Sequence, residues 1–594
     1  MNPNHLKLLK KAQTLELAGK ALEASMAYRA FLELEPKHAD AWASYVGQLL
    51  KLGQTEEARK ACDTALTIEL LHLSAKTNLG RALMRLDRLD ECERHLRAVL
   101  ELDPNRMDTQ LLLAECLLNQ RDMVNARKVL DGTNRPGAMV GKFARLQPRQ
   151  AELWAIFSLG LSEAQNFREA IEACNIAIRI DPHNFTARSN LGSIWMAQGN
   201  LEQAESLFRQ LLVEHPRKEI IRLLLITCLT RKADLIRLDL EVGKAIQQGP
   251  DNFLVHQSVL GTFYNLGRWT DYKAEIERFR MVDPASAHSD WEQGEIDLLF
   301  GNMREGWERY EARLKLPVEG RSQQTTDRPA WNGEPFTGKT LLLWAEQGLG
   351  DALMFMRYLP LVKAVGGRVI LETWPALMGI AATCEGADIV VSKGAPLPPF
   401  DLQASLLSLP WIFRTDLSSI PAMVPYLNVP EEIPNRKALL ERLAGTQGYT
   451  RIGLVWAGRP EHGRDFERSL PASALAPLAA LSEVAWFSFQ LGRPEVPALP
   501  NLFSLAPFLS DFSDTAYALS GMDLLITVDT SVAHLAGALG IPTLLLLPFQ
   551  PDFRWMLGRD DSPWYPTLRL YRQPAYGDWD SVIRQVVSDL TQES

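Results

Sequence analysis

The sequence has 594 residues, of which 46% are hydrophobic and 23% are charged, and its formal net charge is −9. This composition is typical of folded protein and excludes a chain that is disordered throughout. The length predicts several domains or one long repeat array, and the acidic balance disfavours binding to nucleic acid, whose backbone is itself negative.

The six cysteines are scattered along the chain, and no two of them form a C-x-x-C pair. Disulfide frameworks and zinc sites both require clustered spacing, so neither is predicted. The first residues lack the apolar segment of a secretion signal, and no run reaches the roughly 18 apolar residues of a membrane span. The sequence therefore favours a cytoplasmic protein without a membrane span.

A period of 34 residues runs through the first half of the chain. Prolines recur at this interval at positions 148, 182, 216, 250 and 284, and Pro36 and Pro104 are separated by twice the interval. The longer step from Pro104 to Pro148 predicts an insertion near 131–147, whose role stays open. Such regularity predicts an array of stacked helical pairs.

Small residues recur at positions that agree with tetratricopeptide repeats. Glycines are expected where the two helices of a repeat approach each other, at Gly80 and Gly192. Others are expected at the turn between the helices, where a glycine often ends a helix, at Gly53, Gly199, Gly267 and Gly301. These are packing positions. We predict an all-α solenoid of eight or nine pairs over residues 1–316, with a concave face that binds a peptide or partner protein.

The periodicity changes beyond residues 317–338, which are rich in proline, glycine and polar residues and are predicted to be a linker. Short apolar runs then alternate with helical stretches, as in parallel sheets that are covered by helices. The runs are LLLWA, RVILE and DIVVS, then RIGLVWAG, VAWFSFQ, DLLITV, PTLLLLP and LRLYRQ. We predict two Rossmann-like domains, at 339–445 and 446–594.

The first candidate junction between a strand and a helix is LLLWAEQGLGDALMF. Gly348 and Gly350 allow a tight turn and a close approach to a ligand. Asp351 then opens a helix. Its carboxylate has two interpretations. It either only stabilises the helix, through the positive end of the helix dipole, or acts as a general base at the mouth of a parallel sheet.

The second candidate junction is DLLITVDTSVAHLAGALG, in which Asp529 or Thr530 caps a helix. Ser531 and His534 follow in the first turns of this helix. Exposed N–H groups, two hydroxyls and an imidazole at a helix N-terminus are typical of a phosphate site. The alternative is a helix cap with a histidine that only packs against its neighbours.

The distribution of lysine limits the cations that could bind a phosphate in the last domain. No lysine occurs after Lys437, so a cationic group there must be an arginine. The candidates in the loop GRPEHGRDFERSL are Arg459, Arg464 and Arg468. Arginine suits bidentate phosphate contacts, although a charged surface loop explains any one of them equally well.

Motifs of other chemistries are either missing or lie in the wrong context. There is no G-x-S-x-G and no H-E-x-x-H, and the match to the P-loop pattern, GEPFTGKT at 333–340, leads into the apolar run LLLWA and not into a helix. One D-x-D, at Asp578 and Asp580, precedes the last predicted helix rather than ending a strand, so we interpret it as a helix cap. The sequence predicts no metal site and no cofactor.

The segments AEQGLGDALMFMRYLP, GLVWAG, VDTSVAHLAGALGIPT and RDDSPWYP with GDWDSVI resemble bacterial tetratricopeptide-repeat proteins that carry a GT-B glycosyltransferase module. This module, two facing Rossmann-like domains, is similar to the heptosyltransferases and more distantly to the O-GlcNAc transferases. The resemblance implies that Asp351 is the catalytic base. It also implies that Asp529, Thr530 and His534 contact the donor phosphates and sugar, with Ser531 adding a hydroxyl.

The family commonly places a lysine on the donor diphosphate. This sequence has none there, so the resemblance implies that Arg464 or Arg468 takes its place. Gly348 and Gly350 are expected to let the backbone approach the donor.

The resemblance implies a metal-independent glycosyltransferase that uses a nucleotide sugar and needs no further cofactor. The expected acceptors are Ser/Thr hydroxyls of a protein held by the repeats, with flagellin and a nonulosonic acid such as pseudaminic acid as the specific expectation. Two alternatives stay open. One is a transferase that acts on a lipid or polysaccharide acceptor, and the other is a scaffold whose transferase fold has lost catalysis.

Overall fold

The computed structural model describes residues 2–133, 146–316, 328–459 and 465–593. The chain divides into two compact units, Met1–Gln248 and Gly249–Ser594. The first unit is all-helical, and the second contains four more repeat helices followed by two parallel sheets. The predicted fold class, an all-α repeat array followed by an α/β module, is confirmed.

Fourteen helices are described in the first unit, and most of them have 13 or 14 residues. Helices α1 to α14 span Pro3–Leu17, Ala21–Leu34, Ala39–Lys51, Thr55–Ile68, Leu73–Arg85, Leu89–Leu102, Met107–Asn119, Met123–Thr133, Gln147–Glu163, Phe167–Ile180, Phe185–Ala197, Leu201–Glu214, Glu219–Arg231 and Leu235–Gln248. Two helices of this length and two short turns fill the 34-residue period. Residues 134–145 of the predicted insertion lie outside the described residues.

Glycines and alanines set the spacing of these helices. Gly53 and Gly199 have φ of +77° and +80° at the turns, a conformation that glycine adopts without strain. Within the pairs, a Cβ on Gly80 would lie 2.6 Å from Leu96 Cδ2, and a Cβ on Gly192 would lie 2.5 Å from Phe208 Cε1. The predicted packing roles of these glycines are confirmed.

The second unit begins with the last two helical pairs. Helices α15 to α18 span Phe253–Asn265, Trp269–Val282, Ala287–Leu299 and Met303–Tyr310, and a 3-10 turn follows at Glu311–Lys315. Gly267 and Gly301 have φ of +65° and +87°, so the turn geometry of the array continues here. The described helices make nine pairs in all, which agrees with the predicted eight or nine.

Two sheets follow, which we call the N-terminal sheet (β1 to β4) and the C-terminal sheet (β5 to β10). The strands span Thr340–Trp344, Arg368–Thr373, Ile389–Ser392, Leu402–Ser405, Thr450–Val455, Val484–Ser488, Leu502–Ser504, Leu524–Val528, Thr543–Leu547 and Leu568–Arg572. Helices α19 to α27 span Leu349–Phe355, Leu359–Val365, Met378–Ala381, Leu409–Ile412, Arg436–Ala444, Asp465–Arg468, Phe512–Ser520, Ser531–Leu539 and Trp579–Glu593.

Every strand pair in both sheets is parallel, so the carboxyl ends of the strands in each sheet meet at one edge. The orders are β3-β2-β1-β4 and β10-β9-β8-β5-β6-β7. Beside β1 and beside β5 the strand order reverses, and ligands of such sheets bind at this switch point. All eight predicted strands are present. The sequence did not predict β4 and β7, which have only four and three residues.

The boundaries of the compact units differ from the predicted domains. The division falls at Gln248/Gly249, inside the repeat array, because the last repeat helices pack on the α/β module. Of the predicted linker 317–338, residues 317–327 lie outside the described chain. In the remainder Trp331 and Phe336 are buried, and Ala330 pairs with Gln403 of β4. The limits 339–445 and 446–594 stay predictions.

Candidate functional site

The first junction lies at the carboxyl end of β1. Gly348 is at the N-cap of α19, and its N–H donates to Asp351 Oδ2 at 2.8 Å. This bond is only one half of a capping box, because glycine has no side chain that could accept from the helix in return, and it holds the carboxylate over the first turn. The Asp351 side chain is 16% exposed, so it is largely enclosed but still reachable from solvent.

Arg554 holds the other oxygen of this carboxylate. Its Nη2 pairs with Asp351 Oδ1, while its Nη1 donates to Asp552 Oδ1 at 2.7 Å. Burial opposes the positive charge of Arg554, but Asp552 and Asp351 outweigh it and hold the pKa of the guanidinium well above its usual value. Arg554 follows β9 in the C-terminal sheet, so this ion pair joins the two α/β domains directly.

The second junction lies at the carboxyl end of β8. Thr530 is at the N-cap of α26 and Ser531 is its first residue, and both are half-buried. The N–H groups of a first helical turn have no acceptor within the helix and can bind an anion. Burial and then Asp552 raise the pKa of Asp529. The Asp529 carboxyl is therefore more readily protonated than an exposed one.

His534 brings the two junctions into contact. A Cβ on Gly350 would lie 2.7 Å from His534 Cδ2, so a glycine is needed where α19 meets α26. The imidazole is 5% exposed and stacks on Trp555 with ring centroids 5.3 Å apart. Burial, followed by the charge of Arg554, lowers the pKa of His534 to about 3, so the ring is neutral at pH 7.

Arginines from the carboxyl ends of β5 and β6 adjoin the second junction. Arg468 Nη1 donates to the Asp529 carbonyl at 3.1 Å, and Arg468 Nε lies 3.5 Å from Asp465 Oδ1. Arg493, which follows β6, pairs with the other oxygen of Asp465. Asp465 thereby holds two guanidinium groups at the edge of the sheet where the phosphate site is predicted.

The structure describes all but one of the predicted site residues. Those at the two junctions or bonded to them are Gly348, Gly350, Asp351, Arg468, Asp529, Thr530, Ser531 and His534. Arg464 lies outside the described residues, and Arg459 is exposed. The geometry therefore groups the predicted residues, while their chemical roles stay predictions.

Three residues of this cluster, Arg493, Arg554 and Tyr565, were not found by sequence reasoning. Arg554 could have been considered, because the segment after a parallel strand leads to the carboxyl edge of its sheet. Tyr565 bonds to His534 Nδ1 at 3.0 Å from a loop 31 residues further on, and no local pattern indicates this contact.

The last repeat helix also contributes to this region. Trp307 of α18 is 1% exposed, and its ring centroid lies 5.8 Å from Phe355, 5.7 Å from Phe553 and 6.2 Å from Trp564. Phe553 directly precedes Arg554, so the repeat helix supports the loop that carries this arginine. The last repeat helix is thus part of the framework of the site.

A buried ion pair continues this contact. Arg313 is fully buried and donates to Glu346 Oε1 from Nε at 3.1 Å and from Nη2 at 2.6 Å. Glu346 is 2% exposed and stands two residues after β1, in the turn that leads to Asp351. The 3-10 turn that follows the repeats therefore ties directly to the first junction.

The described residues contain no group of three His, Cys, Asp or Glu side chains that could hold a metal ion. The prediction that the reaction needs neither a metal nor a cofactor stays a prediction. None of the described helices is both long and apolar enough to cross a membrane.

Comparison with known proteins identifies the repeats. Models of the tetratricopeptide repeat match residues 9–69, 77–138 and 161–229. The chain carries tetratricopeptide repeats. Arrays of such repeats form extended binding surfaces, so this part of the chain is a scaffold for protein–protein interaction.

The chain is 26% identical to Protein FlbA of Caulobacter vibrioides over 323 residues. The match spans 50% of this chain and about half of that relative's length, 53%. Among solved structures, a tetratricopeptide repeat protein of Parabacteroides merdae is 14% identical, with 44% of this chain and 100% of that chain covered at a TM-score of 0.33. YrrB, a tetratricopeptide-repeat protein with an unusual peptide-binding site, is 19% identical. The match covers 30% of this chain and 88% of YrrB at a TM-score of 0.25.

Proposed function

We propose that the protein is a metal-independent glycosyltransferase that moves a sugar from a nucleotide sugar to Ser/Thr hydroxyls of a protein acceptor. The observation that carries this proposal is the contact of Gly350 with His534. It puts the helix that bears the candidate base against the helix that bears the candidate phosphate site. Both helices begin at the carboxyl ends of parallel strands, where ligands of such sheets bind.

In this proposal Asp351 accepts the proton of the acceptor hydroxyl. Its Oδ1 pairs with Arg554 and its Oδ2 accepts from the Gly348 N–H, and each carboxylate oxygen has a second lone pair for the incoming proton. As the proton leaves, the acceptor oxygen bonds to the anomeric carbon of the sugar. The bond from that carbon to the phosphate oxygen breaks, and its electron pair stays on the phosphate.

The leaving phosphate then gains negative charge, which the N-terminus of α26 is proposed to stabilise. The first-turn N–H groups, the hydroxyls of Thr530 and Ser531 and the guanidinium of Arg468 are the proposed donors. Fixed donors of this kind are worth more where charge develops than in bulk water, because they need no reorganisation. The nucleotide and the sugar stay open.

The repeats are proposed to hold the acceptor away from the reacting hydroxyl. Their architecture suits an extended polypeptide, and the last pair is packed into the framework of the site. Flagellin as acceptor, a nonulosonic acid as donor sugar and a cytoplasmic location rest on the resemblance of the sequence motifs and belong to this proposal.

The test replaces Asp351 by Asn in the full chain. We expect sugar transfer to fall by at least about 100-fold, the range of general-base catalysis, while nucleotide-sugar binding persists. Asp401→Asn is the matched control, because Asp401 also accepts a backbone N–H, from Thr340, but at the opposite end of β1. Transfer by Asp351→Asn at the rate of the control would remove Asp351 from the mechanism.

The two alternatives make different predictions. A transferase acting on lipid or polysaccharide should keep its activity in a chain that begins at residue 249, since that cut leaves the second compact unit whole. A scaffold without catalysis should bind its protein partner and no nucleotide sugar. The confirmed repeats favour a protein partner, either as the acceptor of an enzyme or as the ligand of a scaffold.

A further inference from the structure

A buried cluster of hydroxyl and guanidinium groups lies behind His534, on the side of the ring away from Gly350. Tyr565 is fully buried, and its Oη lies 3.0 Å from His534 Nδ1. The Arg357 guanidinium stands over the Tyr565 ring, 4.4 Å from its centroid, and Arg357 Nη2 donates to Tyr426 Oη at 3.1 Å. The proposed mechanism does not use these three groups.

The packing of this cluster fixes the orientation of the Tyr565 side chain. Gly537, one turn after His534 on α26, leaves the space that the Tyr565 ring fills, and a Cβ there would overlap the ring. The His534 ring, in turn, stacks on Trp555, and the planes of the two rings are inclined by 24°. Neither ring can therefore turn without moving α26 or its neighbours, and the bond from Tyr565 to Nδ1 is held.

The neighbours of the Tyr565 hydroxyl decide whether it donates to His534 Nδ1 or accepts from it. Burial raises the pKa of Tyr565 well above its usual value, so the phenol keeps its proton. The next oxygen is Tyr426 Oη at 3.5 Å, and it accepts from Arg357 and donates to the Leu353 carbonyl at 3.0 Å. The closer acceptor for the Tyr565 proton is His534 Nδ1.

A neutral imidazole carries one proton, so an Nδ1 that accepts leaves the proton on Nε2. Burial and the charges of Arg554, Arg357 and Arg468 lower the pKa of the imidazole, and although Asp552 opposes them the ring is neutral at pH 7. Nε2 lies on the side that faces α19, where a Cβ on Gly350 would be 3.4 Å away. The N–H of the ring therefore points toward the junction of the two helices.

We infer that Tyr565 is a positioning residue that holds His534 in the Nε2–H form, so that this ring donates a neutral hydrogen bond to an oxygen of the nucleotide sugar. The charge of the phosphate is then met by Arg468 and the helix N-terminus, and the imidazole contributes direction rather than charge. The identity of the ligand rests on the proposed function. The position of the proton on His534 does not depend on it.

The experiment labels the full chain with ¹⁵N-histidine and records long-range ¹H–¹⁵N correlations at pH 7, with the His534 signals assigned by their loss in His534→Gln. We expect the Nδ1 signal of an unprotonated nitrogen and the Nε2 signal of a protonated one. In Tyr565→Phe this preference should weaken. Tyr426→Phe removes a neighbouring hydroxyl that bonds to Leu353 and Arg357, and it should leave the His534 signals unchanged.

The second readout is the affinity for CMP, UDP, GDP and ADP by calorimetry. The nucleotide that binds the wild-type chain should bind Tyr565→Phe about fivefold more weakly, the loss expected for one weakened hydrogen bond. A proton on Nδ1 in the wild-type chain, or unchanged His534 signals in Tyr565→Phe, would overturn the role of Tyr565. If none of the four nucleotides binds the wild-type chain, the proposed function fails, and the proton position still decides the role of Tyr565.

Discussion

The repeats of the two compact units place a glycine at the same position but use it differently. The eighth residue of the first helix of a pair is Gly80 in α5, Gly192 in α11 and Gly294 in α17. In the first unit this glycine packs on a side chain, whereas a Cβ on Gly294 would lie 2.8 Å from the backbone nitrogen of Tyr310. In the last pair, α17 therefore packs directly against the backbone of α18. The 3-10 turn whose Arg313 bonds to Glu346 follows immediately.

The difference teaches that one repeat pattern serves two structural purposes. In the first unit the buried surfaces of the described helices pack within the array, as in the cluster that includes Leu96 and Cys116. In the second unit Trp307 and Tyr310, which also belong to a repeat helix, pack on Phe553 of the α/β module. A domain boundary drawn at the end of the periodicity would cut through this core.

The largest predicted effect is the loss of cooperative unfolding when the last repeat helices are removed from the second unit. A chain of residues 249–594 should fold and unfold cooperatively, because it retains the whole second unit. A chain that begins at residue 317 lacks Trp307, Tyr310 and Arg313, and it should lose cooperative thermal unfolding. Circular dichroism during heating measures both. Equal cooperativity of the two fragments would show that the last repeats are not part of the core.

The next effect concerns the buried ion pair. Arg313→Met leaves the Glu346 carboxylate buried without its guanidinium, which should lower the free energy of unfolding by about 3–5 kcal/mol. The control is Arg29→Met in the first unit, because Arg29 and Glu33 are exposed and such a pair contributes less than about 1 kcal/mol. Urea unfolding followed by circular dichroism measures both losses, and similar values for the two would contradict the comparison.

Alanine at the shared glycine position should give a graded effect. Gly294→Ala forces a methyl group against the backbone, and overpacking of this kind costs about 1–3 kcal/mol. Gly80→Ala meets the end of the flexible Leu96 side chain and should cost less. Gly47→Ala, in a helix where nothing lies within 4 Å of the new Cβ, should stabilise by up to about 1 kcal/mol. The melting temperature should therefore be highest for Gly47→Ala and lowest for Gly294→Ala. The reverse order would contradict the different packing of this glycine in the two units.

The smallest effect is a pH dependence in the second unit. The pKa of His534 is about 3 in the folded chain, below its usual value near 6.5, so between these pH values the unfolded chain binds more protons. Stability should therefore fall as the pH drops below 6.5, by about 1 kcal/mol at pH 5.5 from this group. The melting temperature of His534→Gln should fall less between pH 7.5 and 5.5 than that of the wild-type chain. His183→Gln, which removes an exposed histidine of the first unit, should behave as wild type.

The sequence predicts those parts of the fold that local patterns encode. The proline period and the turn glycines indicate the repeats, and the apolar runs indicate eight of the ten described strands. Gly350 and His534 are found because each lies where a strand leads into a helix. Their contact is not encoded locally, since it depends on how α19 packs on α26.

The contacts that the sequence does not reveal join distant segments. Asp351 and Arg554 are 203 residues apart, and Arg313 and Glu346 come from a repeat-end turn and a strand-end turn. Neither pair has a spacing or motif that distinguishes it from exposed charged residues. The short strands β4 and β7 are missed for a different reason, because three or four residues with polar members carry no clear alternation.

The measurement that tests the account most directly is a thermal-shift panel of CMP-, UDP-, GDP- and ADP-sugars on the full chain. The account predicts that one class raises the melting temperature of the wild-type chain and of Asp351→Asn, and that Arg468→Ala loses most of this shift. Stabilisation of the wild-type chain by none of the four classes would contradict a nucleotide-sugar site at the two junctions and would favour the scaffold.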